Sequence, residues 1–269
     1  MADRVEPAER GAGAPTPPQV DFHIHTFRSA CARGNMTVDN AAAAAARAGR
    51  KAIGITDHIL RREHLGLILE CEEEIRIRSF RGMVVCAGCE LDMVSPGVAA
   101  AKVGPDASLD YVGIAVNHFH LSTVAQPPLG DPAGIASYWA TLARSIGDLP
   151  RADVWVHPAH VGQYEEALGE RTLLSYLTSF ERDEIFRVLR EANVAVELRR
   201  LPDNPSRVES HVEFYREAKR HGVRFSVGSD SHNLETLAFA WEAVADVARE
   251  AGFEESDLWL PPRARRAIA

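Results

Sequence analysis

Short apolar segments alternate along the chain with stretches whose apolar residues recur at helical spacing. Seven of these segments have the continuous apolar character of strands that are buried on both faces: VDFHI, AIGIT, MVVCAGCEL, YVGIAV, VWVHP, VAVEL and VRFSVG. The intervening stretches predict helices, for example over residues 38–48, 181–192 and 212–221. Thr37 is placed to cap the first of these helices, and Gly49 is placed to end it.

This alternation favours a parallel sheet, because parallel strands are joined by crossovers that usually contain a helix. Since such crossovers are right-handed, we expect seven repeated units to curl into a distorted (β/α)7 barrel. An open doubly wound sheet is the alternative fold. The 269 residues suffice for a single domain, which we expect to span residues 19–269. Residues 1–18, rich in Ala, Gly and Pro, predict a disordered tail.

Composition and charge narrow the classes of partner. The chain is 46% hydrophobic and 25% charged, and no apolar run has the length that a bilayer crossing needs, so we expect no membrane insertion. A formal net charge of -8 argues against a broad nucleic-acid surface, whereas metal ions and a few arginines can still bind a small anion locally. The first residues lack a secretory pattern, so the four cysteines predict reduced thiols and a cytoplasmic protein. The oligomeric state stays open.

Side chains that bind metal ions follow nearly every predicted strand. His23 and His25 lie two residues apart in an extended segment, so both rings project from one face. Similar ligand types at or after the later strands are His58, Glu90, His118, His157, Asp230 and His232. The carboxyl ends of barrel strands form one face, which is where active sites of such barrels lie. Taken singly, each motif also fits a structural role: satisfied histidines, or Asp230 as the cap of a helix near Leu234.

Two further features of the third apolar segment bear on its role. Glu90 ends this segment, where a carboxylate is costly unless it meets a cation or hydrogen-bond donors. Cys86 and Cys89 form a CxxC, but within a strand they point to opposite faces, so we interpret both as core side chains. Asp57 is placed to accept the ring N–H of His58.

The motifs together resemble a known family. DFHIHT, ITDH, GCEL, the VNHF segment, VHP and GSDSH occur in the order and approximate spacing of the PHP (polymerase and histidinol phosphatase) superfamily, over residues 21–232. The resemblance implies a distorted seven-stranded barrel that holds two or three divalent ions (Zn, Mn or Fe) at the carboxyl ends of its strands. It also implies that His23, His25, Glu90 and Asp230 hold one ion. A second ion would be held by Glu90, His118 and His157, so that Glu90 bridges the two.

The chain departs from this family at the implied third ion. The family pattern has three histidines there, of which His58 and His232 are present, whereas Cys31 occupies the position of the third. A thiolate binds zinc or ferrous iron but suits manganese or magnesium poorly. We therefore expect a third site that is either thiolate-bound or weak.

Two choices among neighbouring histidines stay open. His118 and His157 match the family positions, whereas His120 and His160 lie further into loops. We choose the first of each pair as metal ligands. The other two are candidate substrate contacts, and His160 or His232 is a candidate donor of a proton to the leaving alcohol.

The activity that the resemblance implies is hydrolysis of a small phosphate monoester, as in histidinol phosphatases, by hydroxide from metal-activated water. Glu90, Asp230 and His232 are the candidate catalytic residues. Candidate substrate contacts are Arg28, Arg199, Arg200 and His160, although each arginine also fits a solvated loop. One alternative is hydrolysis of a phosphodiester, a nucleotide or a carbon–nitrogen bond. An alternative of another class is a non-catalytic metal-binding scaffold.

Overall fold

The computed structural model describes residues 19–128, 131–158, 160–169, 171–199 and 205–268. The expected tail over residues 1–18 and the candidate substrate contact Arg200 lie outside the described residues. The strands within these ranges are β1 (Val20–Ile24), β2 (Ala52–Ile55), β3 (His58–Ile59), β4 (Val84–Ala87), β5 (Glu90–Ser95), β6 (Val98–Ala99), β7 (Gly113–Ala115), β8 (Val154–Trp155), β9 (Ala195–Leu198) and β10 (Phe225–Val227).

The strands form a ring of seven positions. One parallel sheet has the order β1-β2-β4, and a second has the parallel order β10-β9-β8-β7-β5-β3, with β6 antiparallel to β5. β2 and β3 together occupy one strand position of the ring, and β4 and β5 occupy the next. Two backbone hydrogen bonds join these two positions where the named strands are interrupted: Gly88 N–H donates to Ile55 O (2.8 Å), and Glu90 N–H donates to Asp57 O (3.1 Å). The segment that follows β10 closes the ring onto β1 through a parallel bridge of Ile24 with Ser231. The predicted distorted seven-stranded barrel is confirmed.

The helices are α1 (Val38–Arg47), α2 (Leu65–Ile77), α3 (Pro132–Arg144), α4 (Glu165–Leu168), α5 (Ser179–Glu191), α6 (Pro205–Arg220), α7 (Leu234–Glu250) and α8 (Pro262–Ile268). Short 3-10 turns lie at Arg62–His64, Ser145–Asp148, Gly162–Tyr164, Leu173–Tyr176 and Glu255–Asp257. Among the described helices, none combines the length and apolar character that a membrane crossing requires.

Local signals in the sequence account for both ends of α1. Thr37 caps α1 by accepting the N–H of Asn40, and Gly49 follows the helix at a φ of 77°. α6 begins at Pro205, seven residues before the predicted start. Val208, four residues before Val212, continues the apolar period into these first turns, and proline is a common first residue of a helix.

Tyr111 fills the interior of the barrel below the strand ends. Its hydroxyl donates to Phe22 O at 2.6 Å, and its ring lies against two glycines of neighbouring strands. A Cβ at Gly54 would lie 1.8 Å from the hydroxyl oxygen, and one at Gly88 would lie 2.6 Å from Cζ. Tyr111 therefore occupies the barrel interior beneath the carboxyl ends of these strands.

Candidate metal centre

The carboxyl ends of the strands bring the predicted ligands into one cluster. Among the described residues, four groups of His, Cys, Asp or Glu side chains place their donor atoms within 4.8 Å of one another. Their members are His23, His25, Cys31, His58, Glu90, Asp92, His118, His157, Asp230 and His232. All nine metal ligands expected from the sequence are among them, together with Asp92.

The first cluster has the dimensions of a tetrahedral site. His23 Nε2 lies 3.1 Å from His25 Nε2, and the two nitrogens lie 3.4 and 3.3 Å from Glu90 Oε2. They lie 3.5 and 3.2 Å from Asp230 Oδ1. A tetrahedral zinc ion with bonds of about 2.0–2.1 Å separates its ligands by about 3.3–3.4 Å. These four donors therefore fit one divalent ion as they stand.

The second cluster uses the other oxygen of Glu90. Oε1 lies 2.5 Å from His157 Nε2 and 3.4 Å from His118 Nε2. Asp92 Oδ1 lies 2.8 Å from His118 Nδ1, which orients that ring with its Nε2 towards Glu90. The two oxygens of one fully buried carboxylate thus face two different sets of imidazoles. One carboxylate is thus placed so that each of its oxygens could ligate a separate ion.

The third cluster adjoins the first. It groups Cys31, His58 and His232 with His25. The ring of His25 stacks on that of His58 at a centroid distance of 4.4 Å and on that of His232 at 4.3 Å. The three clusters therefore form one continuous centre.

Charge is concentrated in this buried centre. Burial would raise the pKa of Glu90, but the surrounding histidines, chiefly His58 and His157, hold it well below its ordinary value. Burial likewise opposes ionisation of Cys31, whereas hydrogen bonds with His232 and His58 lower the pKa of this thiol to about 6. The Glu90 carboxylate and the Cys31 thiol thus favour their anionic forms, which are the forms that ligate metal ions.

Backbone strain coincides with two of the candidate ligands. His157 has a φ of 34° and Asp230 a φ of 55°, in the left-handed region of backbone conformation that residues other than glycine rarely adopt. Such conformations cost on the order of 1–3 kcal/mol and persist where the surroundings fix them, often at functional sites. Asp230 does not cap the following helix, because Asn233 accepts the N–H of Thr236 at 2.8 Å.

Glu197 is a member of this centre that the sequence analysis did not identify. It lies on β9, is buried, and places Oε1 2.6 Å from His23 Nδ1. Its Oε2 accepts the backbone N–H of His157 at 2.7 Å. One carboxylate thus orients a ligand of the first cluster and a ligand of the second. The sequence does contain a signal for Glu197. This carboxylate stands within the apolar segment VAVEL, just as Glu90 stands within MVVCAGCEL, and a buried carboxylate needs a cation or hydrogen-bond donors.

Asp57 does not take the role that the sequence suggested. Its carboxylate accepts from Thr26 N (2.7 Å), Thr26 Oγ (2.5 Å) and Ser29 Oγ (2.6 Å). The expected contact with the ring of His58 is wrong, because the loop after β1 folds onto this carboxylate and uses its acceptor sites. Asp57 therefore fastens the loop that carries Cys31.

Of the candidate arginines, Arg199 lies beside the metal centre and Arg28 lies away from it. Arg199 Nη2 lies 3.1 Å from Asp230 Oδ2, at the edge of the first cluster. Arg28 instead pairs with Glu74 of α2 at 2.5 Å, which directs its charge towards a helix outside the barrel and disfavours the expected contact with substrate.

Among the alternative histidines, His118 and His157 face Glu90. His120 lies on the exposed side of His118 with ring centroids 5.3 Å apart, and the ring of His160 lies 6.3 Å from that of His157. Both outer rings are thus close enough to line the approach to the centre.

Gly228 provides a first test of this packing. A Cβ there would lie 2.1 Å from Glu197 Oε1 and 2.5 Å from His23 Cβ. Gly228→Ala is therefore expected to destabilise the fold by about 1–3 kcal/mol and to weaken zinc binding, because both side chains must move. Thermal unfolding with and without zinc measures this. Gly66→Ala, at an open position, is the control; equal stability of the two variants would contradict the packing described.

Among comparisons with known proteins, the one with solved structures identifies the fold. No protein-family profile matches the chain, and no curated protein matches its sequence. Among solved structures, histidinol phosphate phosphatase from Lactococcus lactis, complexed with zinc, L-histidinol and phosphate, matches with a TM-score of 0.61 and 15% identity, over 88% of this chain and 95% of that one. A Listeria monocytogenes protein assigned as a histidinol phosphatase matches with a TM-score of 0.59 and 11% identity, over 81% and 96%. The chain therefore has the fold of the histidinol phosphatases that its motifs resemble.

Proposed function

We propose that this protein is a metal-dependent phosphoesterase that hydrolyses a small phosphate monoester. The observation that carries the proposal is the division of the Glu90 carboxylate between two sets of imidazoles, with Oε2 facing His23 and His25 and Oε1 facing His118 and His157. Such a carboxylate would ligate two divalent ions together with these histidines, which is the kind of centre that many phosphoryl-transfer enzymes use.

The donor set also suits particular ions. The first cluster offers two imidazoles and two carboxylates, and the second offers two imidazoles and one carboxylate. Mixed nitrogen and oxygen donors suit zinc, manganese or iron. When bound, such ions lower the pKa of a water molecule and offset the charge of a phosphoryl group.

Residues of the chain would then hold and orient the ester. Arg199 lies at the rim of the first cluster, where its guanidinium can also donate to phosphate oxygens. The ring of His160, beside His157, is placed to contact the substrate or to give a proton to the departing alcohol. His232 is the other candidate for that proton transfer, although its place in the third cluster favours metal binding.

The ligands bound to a structure of the same fold support a monoester in particular. The Lactococcus lactis relative was solved with phosphate and L-histidinol, which are the two products of a phosphate monoester. Histidinol phosphate is therefore the first ester to test. At 15% identity the alcohol portion is free to differ, so the panel should include sugar, amino-alcohol and nucleoside monophosphates.

Two alternatives make different predictions. A phosphodiesterase or an enzyme of carbon–nitrogen hydrolysis would bind the same ions but release no phosphate from monoesters. A non-catalytic scaffold would bind ions and turn over nothing. The strained ligands His157 and Asp230 and the orienting carboxylate of Glu197 favour an enzyme, because such features are costly for a scaffold to keep.

The proposed organisation is one domain over residues 19–269, acting in a reducing compartment such as the cytoplasm. Cys31 is exposed and free, and a reducing environment would keep it as a thiol.

A substitution of Arg199 tests the recognition of phosphate. Arg199→Ala is expected to reduce kcat/KM about 10–100-fold, mainly through KM, because it removes a charge-assisted hydrogen bond worth about 1.5–3 kcal/mol. Steady-state kinetics on the best monoester measures this, with metal content as a check. Arg28→Ala is the matched control and should leave KM unchanged, since Arg28 pairs with Glu74. Equal effects of the two substitutions would contradict the assignment.

A further inference from the structure

We propose that Cys31, His58 and His232 form a thiolate–imidazole site that selects a thiophilic ion such as zinc or ferrous iron, with a metal preference unlike that of the two clusters around Glu90. The inference deepens the proposed function, on which it rests for the existence of a metal centre. It concerns the residue by which this chain departs from the family that it resembles.

The ring nitrogens of the two histidines are arranged for this role. His232 Nδ1 donates to Asp230 O at 2.8 Å, which leaves the lone pair of Nε2 free to ligate. His58 Nδ1 lies 2.9 Å from Glu90 Oε2, an electrostatic contact that is not aligned as a hydrogen bond. In the ring of His232 a carbonyl oxygen thus holds the Nδ1 proton, as in most metal-ligating histidines, and the ring of His58 is held between Glu90 and the third cluster.

The loop that carries Cys31 is fastened to both histidines by its backbone neighbours. Arg33 N–H donates to His232 O at 2.7 Å. Ser29 Oγ accepts the N–H of His58 at 3.1 Å and donates to Asp57. Cys31 lies between these two attachments, so the loop itself keeps the sulfur beside the two imidazoles. The site is therefore preorganised by bonds that do not involve its donor atoms.

Cys31 also differs from the other three cysteines of the chain. Cys71, Cys86 and Cys89 are buried, and burial raises the pKa of each of these thiols. Cys31 is exposed, and its sulfur lies within ligand reach of His58 and His232. It is thus the cysteine of this chain that is accessible to an ion from solvent.

The donor atoms define the preference of the site. The clusters around Glu90 offer only nitrogen and oxygen, which accept manganese as well as zinc. His25 lies against the third cluster, but its Nε2 faces the first cluster and its Nδ1 faces Ser29 Oγ at 3.3 Å. The third site therefore has one sulfur and two nitrogens from the chain, a set that favours zinc or ferrous iron over manganese or magnesium.

Cobalt substitution tests the sulfur ligand directly. The full-length protein is stripped with a chelator and titrated with Co²⁺, and we expect a near-ultraviolet charge-transfer band from a thiolate–cobalt bond. Cys31→Ser should abolish this band and lower the bound ions by about one per chain, whereas Cys71→Ser should retain both. Cys31→His, which restores three imidazoles, should keep the ion but lose the band. A band that survives Cys31→Ser, or no band in the wild type, would overturn the proposal.

Alkylation of the wild-type protein tests the selectivity without any substitution. Excess zinc should slow the modification of Cys31 by a thiol reagent at least about tenfold, whereas manganese should not, and mass spectrometry of the Cys31 peptide measures this. Equal protection by both ions, or by neither, would overturn the selectivity. Phosphate release is measured in a separate assay, so the two proposals can fail independently. A thiolate–cobalt band in a protein that releases no phosphate would support this site and contradict the phosphatase proposal.

Discussion

Replacement of Glu90 by glutamine is expected to reduce kcat/KM for the best phosphate monoester at least about a thousandfold, which corresponds to about 4 kcal/mol of transition-state stabilisation. Glutamine keeps the shape of the side chain but has one carbonyl oxygen and one NH2 group, which cannot ligate. Since both oxygens of Glu90 face imidazole clusters, one of the two ion sites must lose its bridging donor. The remaining ion would also lack the charge that the carboxylate supplies.

Metal analysis by mass spectrometry accompanies the kinetics. Glu90→Gln should lower the ions per chain, while Glu184→Gln, at a partly exposed position of α5 where the side chain pairs with Arg187, should change neither metal content nor rate. Circular dichroism checks that both variants fold. A Glu90→Gln protein with its full complement of ions and wild-type turnover would exclude the bridging role.

Replacement of Glu197 by glutamine is expected to weaken metal binding or activity about 10–100-fold, the usual effect of removing a group that orients metal ligands. Its two oxygens accept from His23 Nδ1 and from the backbone N–H of His157. An amide has one acceptor oxygen, so it can serve one of these contacts while its NH2 group opposes the other donor. The cluster that faces the NH2 group should therefore lose its orienting contact.

Zinc titration with a chromophoric chelator separates this effect from unfolding. Glu191→Gln, an exposed carboxylate at the end of α5, is the matched control. Unchanged zinc affinity in Glu197→Gln would mean that the two ligands are held by the backbone alone. A lower zinc affinity, with full occupancy regained at higher zinc concentration, would support the orienting role.

The barrel could be predicted from sequence because each strand is a short apolar segment with its own local signal. VDFHI, VAVEL and VRFSVG all become strands at the predicted places. The ligands could be predicted because they follow these segments, and parallel strands end at one edge. Thr37 and Gly49 are likewise local signals, and both take their predicted places at α1.

The remaining features depend on contacts between distant parts of the chain. Asp57 could serve its neighbour His58 or the loop after β1, and the fold decides for Thr26 and Ser29. Arg28 and Arg199 both follow strands, yet α2 offers Glu74 to the first and leaves the second beside the metal centre. Neither choice is encoded within a few residues, so only the folded chain distinguishes them.

The most direct test of the central claim is phosphate release by the wild-type protein, with zinc or manganese and after chelation, from a panel of monoesters and matched diesters. We expect ion-dependent release from at least one monoester, lost on chelation and restored by the ion. A protein that holds its ions at Glu90, as metal analysis would show, but releases phosphate from none of these monoesters would contradict the account.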